Sequence, residues 1–360
     1  MTPIPYRLPV PGPGFGSASP LARARCVVAE AETALAQRDL SPARGLVAAV
    51  VALDQSGDQL NAFLGRLLGV RRLVLLGCVS EATLQLADLD LERAPAALRA
   101  GFHLLAGELA CRRVDAQGAA TAFACAVAEA SRAGIPALLA EVQSARATLS
   151  KIAARQMQGG DVQPLNLDQV EELLASDQLV VDGCRRVLRQ GASRVSLGRR
   201  PVLFALLQAL AQAYPAAATR EQLLSAAFDV KRANESHRAR LRVEIGRLRR
   251  LISDFAKLAA TPGGFLLAPN RSVQVSVLLP PIDGEQASLL ALLADGQPWS
   301  TSALAQALGE SQRNVQRALA LLEAEDRVHA VGRSRARRWL CAPLSGFTTT
   351  LLLPVRLSSG

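Results

Sequence analysis

The sequence predicts a mainly α protein with small β elements: a helical N-terminal half followed by two compact units that mix helices with short strands. Three observations carry that expectation. From about Leu21 to Gln156 the chain is rich in alanine and leucine, broken by short Gly/Asp/Pro stretches and almost free of β-branched runs. After residue 178 the texture changes to short alternating segments bounded by glycine. Charge is also sorted along the chain. Residues 1–180 hold 16 Lys+Arg against 18 Asp+Glu, whereas residues 181–360 hold 25 against 13, so the second half carries all of the net +10. Such a division points to one part that meets a polyanion and one that does not.

The 360 residues suffice for two or three domains, and half of them are hydrophobic, which is the composition of a globular chain. No apolar run reaches the ~18–20 uncharged residues of a membrane span; the longest, LVAAVVAL at 46–53, stops at Asp54. Residues 1–19 are rich in proline and glycine where a signal peptide would be basic and then apolar, so they read as a disordered leader and the protein as cytoplasmic. PGPGFG at 11–16 follows no strand and fits no phosphate-loop pattern. The six cysteines (Cys26, Cys78, Cys111, Cys125, Cys184, Cys341) and three histidines (His103, His237, His329) are scattered, and Asp88, Asp90 and Glu92 read as a helix surface. No cofactor, metal or catalytic motif is expected, and so no enzyme.

Three segments of the helical half look alike: LSPARGLVAAVVALDQSGD from Leu40, VSEATLQLADLDLERAP from Val79 and DAQGAATAFACAVAEASRAG from Asp115. Ala43, Ala82 and Ala119 or Ala120 space them by roughly 37–39 residues, which suits stacked helix pairs. The third, with PALLAEVQSARATL after it, resembles a tetratricopeptide repeat. Residues 20–157 therefore read as a TPR-like helical domain, with an ordinary helical bundle as the alternative. Either kind of domain binds a protein or peptide or mediates dimerisation. MQGGDVQPLNLDQVEELLASDQ opens with glycine, proline and polar residues and then offers one short acidic helix, and residues 158–178 read as a linker.

The next unit, 179–280, begins with strand-like LVVD, RRVLRQ and SRVSL, separated at Gly183 and Gly191. A helix follows with Leu203, Leu206, Leu207 and Leu210 on one stripe; Thr219 caps REQLLSAAF; a third helix starts near Ser236; and TPGGFLLAP and SVQVSVLL supply strands around a glycine turn. On Leu197, Leu206–Leu207, REQLL at 220–224, LRVEIGRLRRLI at 241–252 and GGFLL at 263–267, this unit resembles the OmpR/PhoB-type winged helix DNA-binding output domain of response regulators. It departs from that pattern in GRRP at the start of the first helix and in Glu244, where the family often has histidine.

In the third helix Leu241, Ile245, Leu248 and Ile252 form one apolar stripe, while Arg240, Val243, Glu244 and Arg247 form another that cannot face the same core. Six arginines and one glutamate lie between Arg238 and Arg250, too few acids for a face of balanced pairs. Arginine can pair with guanine, glutamate can accept from cytosine N4, and valine can touch a thymine methyl. The resemblance implies that this helix enters the major groove, its base- and phosphate-facing positions matching Arg240, Val243, Glu244, Arg247 and Arg249; Arg238, Arg242 and Arg250 complete the expected DNA-binding set.

Residues 281–342 repeat the syntax. QASLLALLADG is a first helix, Ser300 or Thr301 caps SALAQALG, and Gly309-Glu310 turns into SQRNVQRALALLEAEDRV, whose Val315, Leu319 and Leu322 point inward. Gln312, Arg313, Gln316 and Arg317 project outward, and RVHAVGRSRARRWLC reads as a hairpin with Arg333, Arg335, Arg337 and Arg338 at its tip. This resembles the winged helix-turn-helix of small bacterial repressors. Residues 343–360 read as a tail able to add a strand to some sheet. The expected protein is a sequence-specific DNA-binding transcription regulator with two winged helix-turn-helix domains. Its expected partners are double-stranded DNA, RNA polymerase or a peptide at the helical domain, and a second copy in a homodimer. The rival expectation is an interaction scaffold.

Overall fold

The computed structural model describes residues 19–41, 45–228, 235–282, 284, 286–342, 344 and 346–355, excluding the side chain of Arg335. The expected disordered leader therefore lies almost entirely outside the described residues.

Seven helices come first: α1 (Pro20–Ala36), α2 (Leu46–Gln55), α3 (Gln59–Leu75), α4 (Val79–Ala87), α5 (Ala96–Arg113), α6 (Ala116–Ala133) and α7 (Pro136–Ala147). The three look-alike segments head α2, α4 and α6. Ala82 and Ala119 are fully buried, small enough to let neighbouring helices approach closely. At the α5–α6 contact, a Cβ on Gly107 would sit against the Phe123 ring, so glycine there sets how closely the pair packs. Asp58 and Asp115 cap α3 and α6 through their side chains.

The expected linker is not a linker. Residues 154–175 form β1 (Ala154–Gln158), β2 (Asp161–Leu165) and α8 (Leu167–Ala175). Gly159 and Gly160, at φ +59° and +98°, make the two-residue turn that joins β1 to β2, a conformation glycine adopts without steric cost. Pro164 is tolerated because β2 is an edge strand. Leu165, Leu167, Val170, Leu173 and Leu174 are buried, and Asn166 and Gln169 close a capping box on α8. The short acidic helix stands where the sequence offered one, but the glycines before it serve a turn inside a sheet and Asn166 a helix cap.

Next come β3 (Leu179–Asp182), β4 (Val187–Gln190), β5 (Ser193–Ser196), α9 (Pro201–Ala213), β6 (Ala218–Thr219), α10 (Arg220–Phe228), α11 (Glu235–Leu251), β7 (Ala256–Ala260), β8 (Gly264–Pro269) and β9 (Val275–Leu279). Six strands form one sheet in the order β2-β1-β9-β3-β4-β5, and three form another, β6-β8-β7. The last strand, β9, enters the middle of the larger sheet, parallel to β3 and antiparallel to β1. A buried polar relay ties the strands together: Gln156 Nε2 donates to Ser276 Oγ at 2.9 Å, and Ser276 Oγ donates to Gln178 Oε1 at 2.7 Å. The sequence-derived boundary at 179 thus cuts through a sheet that begins at 154.

Asp182, at the end of β3, is buried and accepts from the backbone N–H groups of Cys184 and Arg185 at 2.9 and 3.0 Å. Burial pushes its carboxyl up, opposed by the nearby Arg185 guanidinium. A carboxyl whose folded pKa exceeds its unfolded one stabilises at low pH, and that contribution is lost as pH rises through the folded value. Urea unfolding of the parent should therefore carry a component that falls from acidic to neutral pH. In Asp182→Asn, which keeps an Oδ1 acceptor, that component should vanish; identical pH slopes in the two proteins would contradict this account.

The last elements are α12 (Ala287–Leu293), α13 (Thr301–Leu308), α14 (Gln312–Ala324), β10 (Val328–Val331) and β11 (Arg338–Cys341). Ser300 caps α13, Gly309 leaves it in the left-handed conformation at φ +71°, and Ser311 caps α14. This unit does not stand apart from the helical half. Leu290, Leu293, Trp299, Leu304, Leu319 and Leu322 belong to the same apolar core as Val28, Leu35, Val50, Leu53 and Leu68. Among its described residues the tail, expected to add a strand to some sheet, adds none. It makes an isolated parallel bridge, Phe347 to Ile152, and then a 3-10 turn at Thr350–Leu352 that buries Leu351 and Leu352.

The chain is thus mainly α with small sheets, as expected. No described helix is long and apolar enough to cross a membrane.

Candidate nucleic-acid interface

α11 is built by two competing demands on one short segment. Leu241, Ile245, Leu248 and Ile252 are almost fully buried against Leu203, Leu206, Leu207 and Leu210 of α9 and the β7–β8 hairpin. Burying one stripe of a helix leaves the opposite stripe in solvent. The outermost positions are Ala239, Val243 and Arg250, flanked by Arg242 on one side and Arg247 on the other. Val243 is 54% exposed, and the Arg242 side chain 71%.

The predicted set divides once tertiary partners are counted. Arg238 and Arg242 remain exposed, each at 3.8 Å from Glu235, a separation at which solvent-exposed pairs contribute little. The Arg250 guanidinium pairs with no described residue and is exposed. Arg240 is exposed but lies over the Phe228 ring, 4.6 Å from its centroid. Glu244 departs from expectation. Its side chain is only 12% exposed and accepts from Arg247 Nη1 at 2.8 Å, so it orients an arginine rather than reaching outward towards a base. Arg249 also departs: its Nε donates to the Leu258 carbonyl at 3.0 Å, and its guanidinium lies over Phe265. It therefore pins the hairpin to the helix. Both departures arise because side chains on the flanks of a helix meet whatever packs beside it, which periodicity does not reveal.

One contributor escaped the sequence reading. Arg200, in the loop that starts α9, shares a surface groove with Arg247 and Arg250. Arg199 and Arg200 were legible as GRRP, but only the packing of α9 on α11 brings Arg200 beside the helix. At the hairpin, Arg220 Nη1 donates to the Pro262 carbonyl at 2.7 Å, holding the TPGG turn, while Lys257 is exposed. The hairpin partner AKLAA at 256–260 is made of residues that favour helices. Its pairing with β8 is a tertiary effect.

In the second unit Val315, Leu319 and Leu322 are buried, and Gln312, Arg313, Gln316 and Arg317 are all exposed on the first turns of α14, as expected. In the β10–β11 hairpin Arg333 is exposed, whereas Arg337 turns back to Glu323 at 3.2 Å and lies over Trp339 at 4.3 Å. Arg337 therefore fastens the hairpin to α14 instead of extending its tip. The Arg335 side chain lies outside the described residues, as do residues 229–234.

No cluster of three or more metal-ligating side chains occurs among the described residues. Burial pushes the Cys111 thiol up to about 12, which leaves it unreactive at neutral pH. Compared with protein-family models, curated proteins and solved structures, the chain gives no match.

Proposed function

We propose that the chain is a sequence-specific DNA-binding transcription regulator. In this reading the units around α11 and α14 are winged helix-turn-helix modules, and α1–α7 form a TPR-like array that receives a signal or a partner such as RNA polymerase. The observation that carries it is the division of α11. Its apolar stripe is consumed by the core, and Arg238, Arg242, Arg247 and Arg250 are left exposed around Val243. Arginine forks suit both phosphates and guanine edges, and the apolar Val243 suits a thymine methyl. Arg200, in one groove with Arg247 and Arg250, and the exposed Lys257 of the neighbouring hairpin add basic groups able to meet duplex backbone.

Genome-wide mapping of bound DNA tests the reading, because it asks whether the chain binds specific sites and yields their sequence together. Enrichment of a common sequence is expected, with duplex affinity falling steeply as salt rises. A chain that ignores duplex at physiological salt and purifies with a stoichiometric protein partner would be a scaffold instead. For α14 that rival has one observation in its favour: Leu321, on its second half, is 56% exposed.

A further inference from the structure

Glu108 and Arg112 lie one turn apart on α5, in the order that favours an ion pair on a helix surface. They form none. Glu108 receives no hydrogen bond and joins no ion pair among the described residues, and its half-buried side chain keeps contact with solvent at the cavity wall. Arg112 is 6% exposed, and its guanidinium makes a single long hydrogen bond, Nη1 to the Pro354 carbonyl at 3.3 Å. Both side chains line a cavity of about 270 Å³. Burial pushes the Glu108 carboxyl up, with Arg71 and Arg112 pulling against that shift.

The remaining walls are already satisfied. Arg38 Nε donates to Asp295 Oδ2 at 2.8 Å, and the Trp299 indole N–H donates to the same carboxylate at 3.0 Å. Phe123, Val74 and Leu292 make the apolar side, and Thr348 to Thr350 close the cavity from the tail. Arg71, which also lines the cavity, is paired with the half-exposed Glu141 at 2.9 Å. The volume lies just below the roughly 300 Å³ at which small-ligand sites usually begin. What the cavity lacks is a partner for one anion and one cation held about a helical turn apart, beside an apolar wall.

We propose that this cavity binds a small zwitterion of the free amino-acid type, its ammonium on Glu108, its carboxylate on Arg112 and its side chain against Phe123 and Leu292. A zwitterion supplies both missing charges from adjacent atoms, which neither a simple amine nor a simple acid does. The walls come from α3, α5 and α6 of the helical half and from α12 and the tail, so occupancy stabilises one arrangement of the array against the second unit. The bound molecule thereby tunes the presentation of α14; this regulatory half rests on the proposed function, whereas the site itself does not.

The test uses the full chain. The standard free amino acids at millimolar concentration are screened by thermal unfolding, and those that raise the Tm are measured by calorimetry without DNA. At least one is expected to bind. Its decarboxylated and deaminated counterparts should bind at least about tenfold more weakly. Glu108→Gln should lose about tenfold in affinity without lowering the unliganded Tm, and Ala145→Leu, which extends a side chain into the cavity, should abolish binding. Failure of every amino acid to bind means a solvated void and overturns the proposal. So does equal binding of the amine or acid counterpart, or parental affinity in both variants. Duplex affinity is then measured with and without the bound amino acid. An unchanged value removes the regulatory half alone, and a chain that binds no duplex refutes the proposed function while calorimetry still decides the site.

Discussion

Replacing Arg242, Arg247 and Arg250 together with alanine is expected to lower affinity for duplex DNA about a hundredfold at physiological salt, while leaving the folded chain intact. Each of the three side chains is exposed, and none contributes to the apolar core, so the change acts on the outer surface of α11 and not on its docking. Three charge-assisted contacts at about 1 kcal/mol each sum to roughly 3 kcal/mol, or about two factors of ten. The salt dependence is the sharper readout. If all three meet phosphates, the slope of log K against log salt should flatten by roughly 2.7, at about 0.9 for each phosphate neutralised. A contact to a base instead would cost affinity at particular sites and leave the slope nearer its parental value. Removing Arg146, exposed on α7, serves as the control and should change neither. Parental affinity in the triple variant would show that α11 does not meet the duplex.

Trp299→Ala is expected to destabilise the chain by about 3–5 kcal/mol, the usual cost of deleting a fully buried aromatic side chain. Trp299 is 1% exposed, its indole N–H is bonded to Asp295, and Arg38 of the helical half bonds the same carboxylate. Its ring is packed in the core shared by α1–α3 and α12–α14. The loss should therefore be felt on both sides. Circular dichroism, dominated by the long N-terminal helices, and the fluorescence of Trp339, the other tryptophan, should report one urea transition moved to lower denaturant. If the helical signal keeps its parental midpoint while Trp339 alone shifts, the two parts do not share a cooperative core.

These two predictions draw on different depths of information. The α11 experiment was almost wholly legible in the sequence, because the i, i+4, i+7 spacing of Leu241, Ile245, Leu248 and Ile252 already separates an inner face from an outer one. What it did not reveal was that Glu244 and Arg249 are engaged by neighbours and that Arg200 joins the groove. In the second unit Gln312, Arg313, Gln316 and Arg317 stand where the pattern put them, but Arg337 does not. The Trp299 experiment was not legible at all. Nothing local to residue 299 says that its ring meets helices more than two hundred residues earlier in the chain.

By itself the sequence determined the local periodicities: which stripe of each helix is apolar, that Thr219 and either Ser300 or Thr301 start helices, and that positive charge gathers in the second half. These follow from backbone geometry and capping chemistry, which act over a few residues. Only the tertiary structure decided that 154–175 completes a sheet, that β9 enters its middle, that the array and the second unit share one core, and that Glu108 and Arg112 face a cavity without pairing. The physical reason is that periodicity sets the direction in which a side chain leaves its helix. Whether an arginine found there is free, stacked or bonded depends on an element brought beside it from elsewhere in the chain.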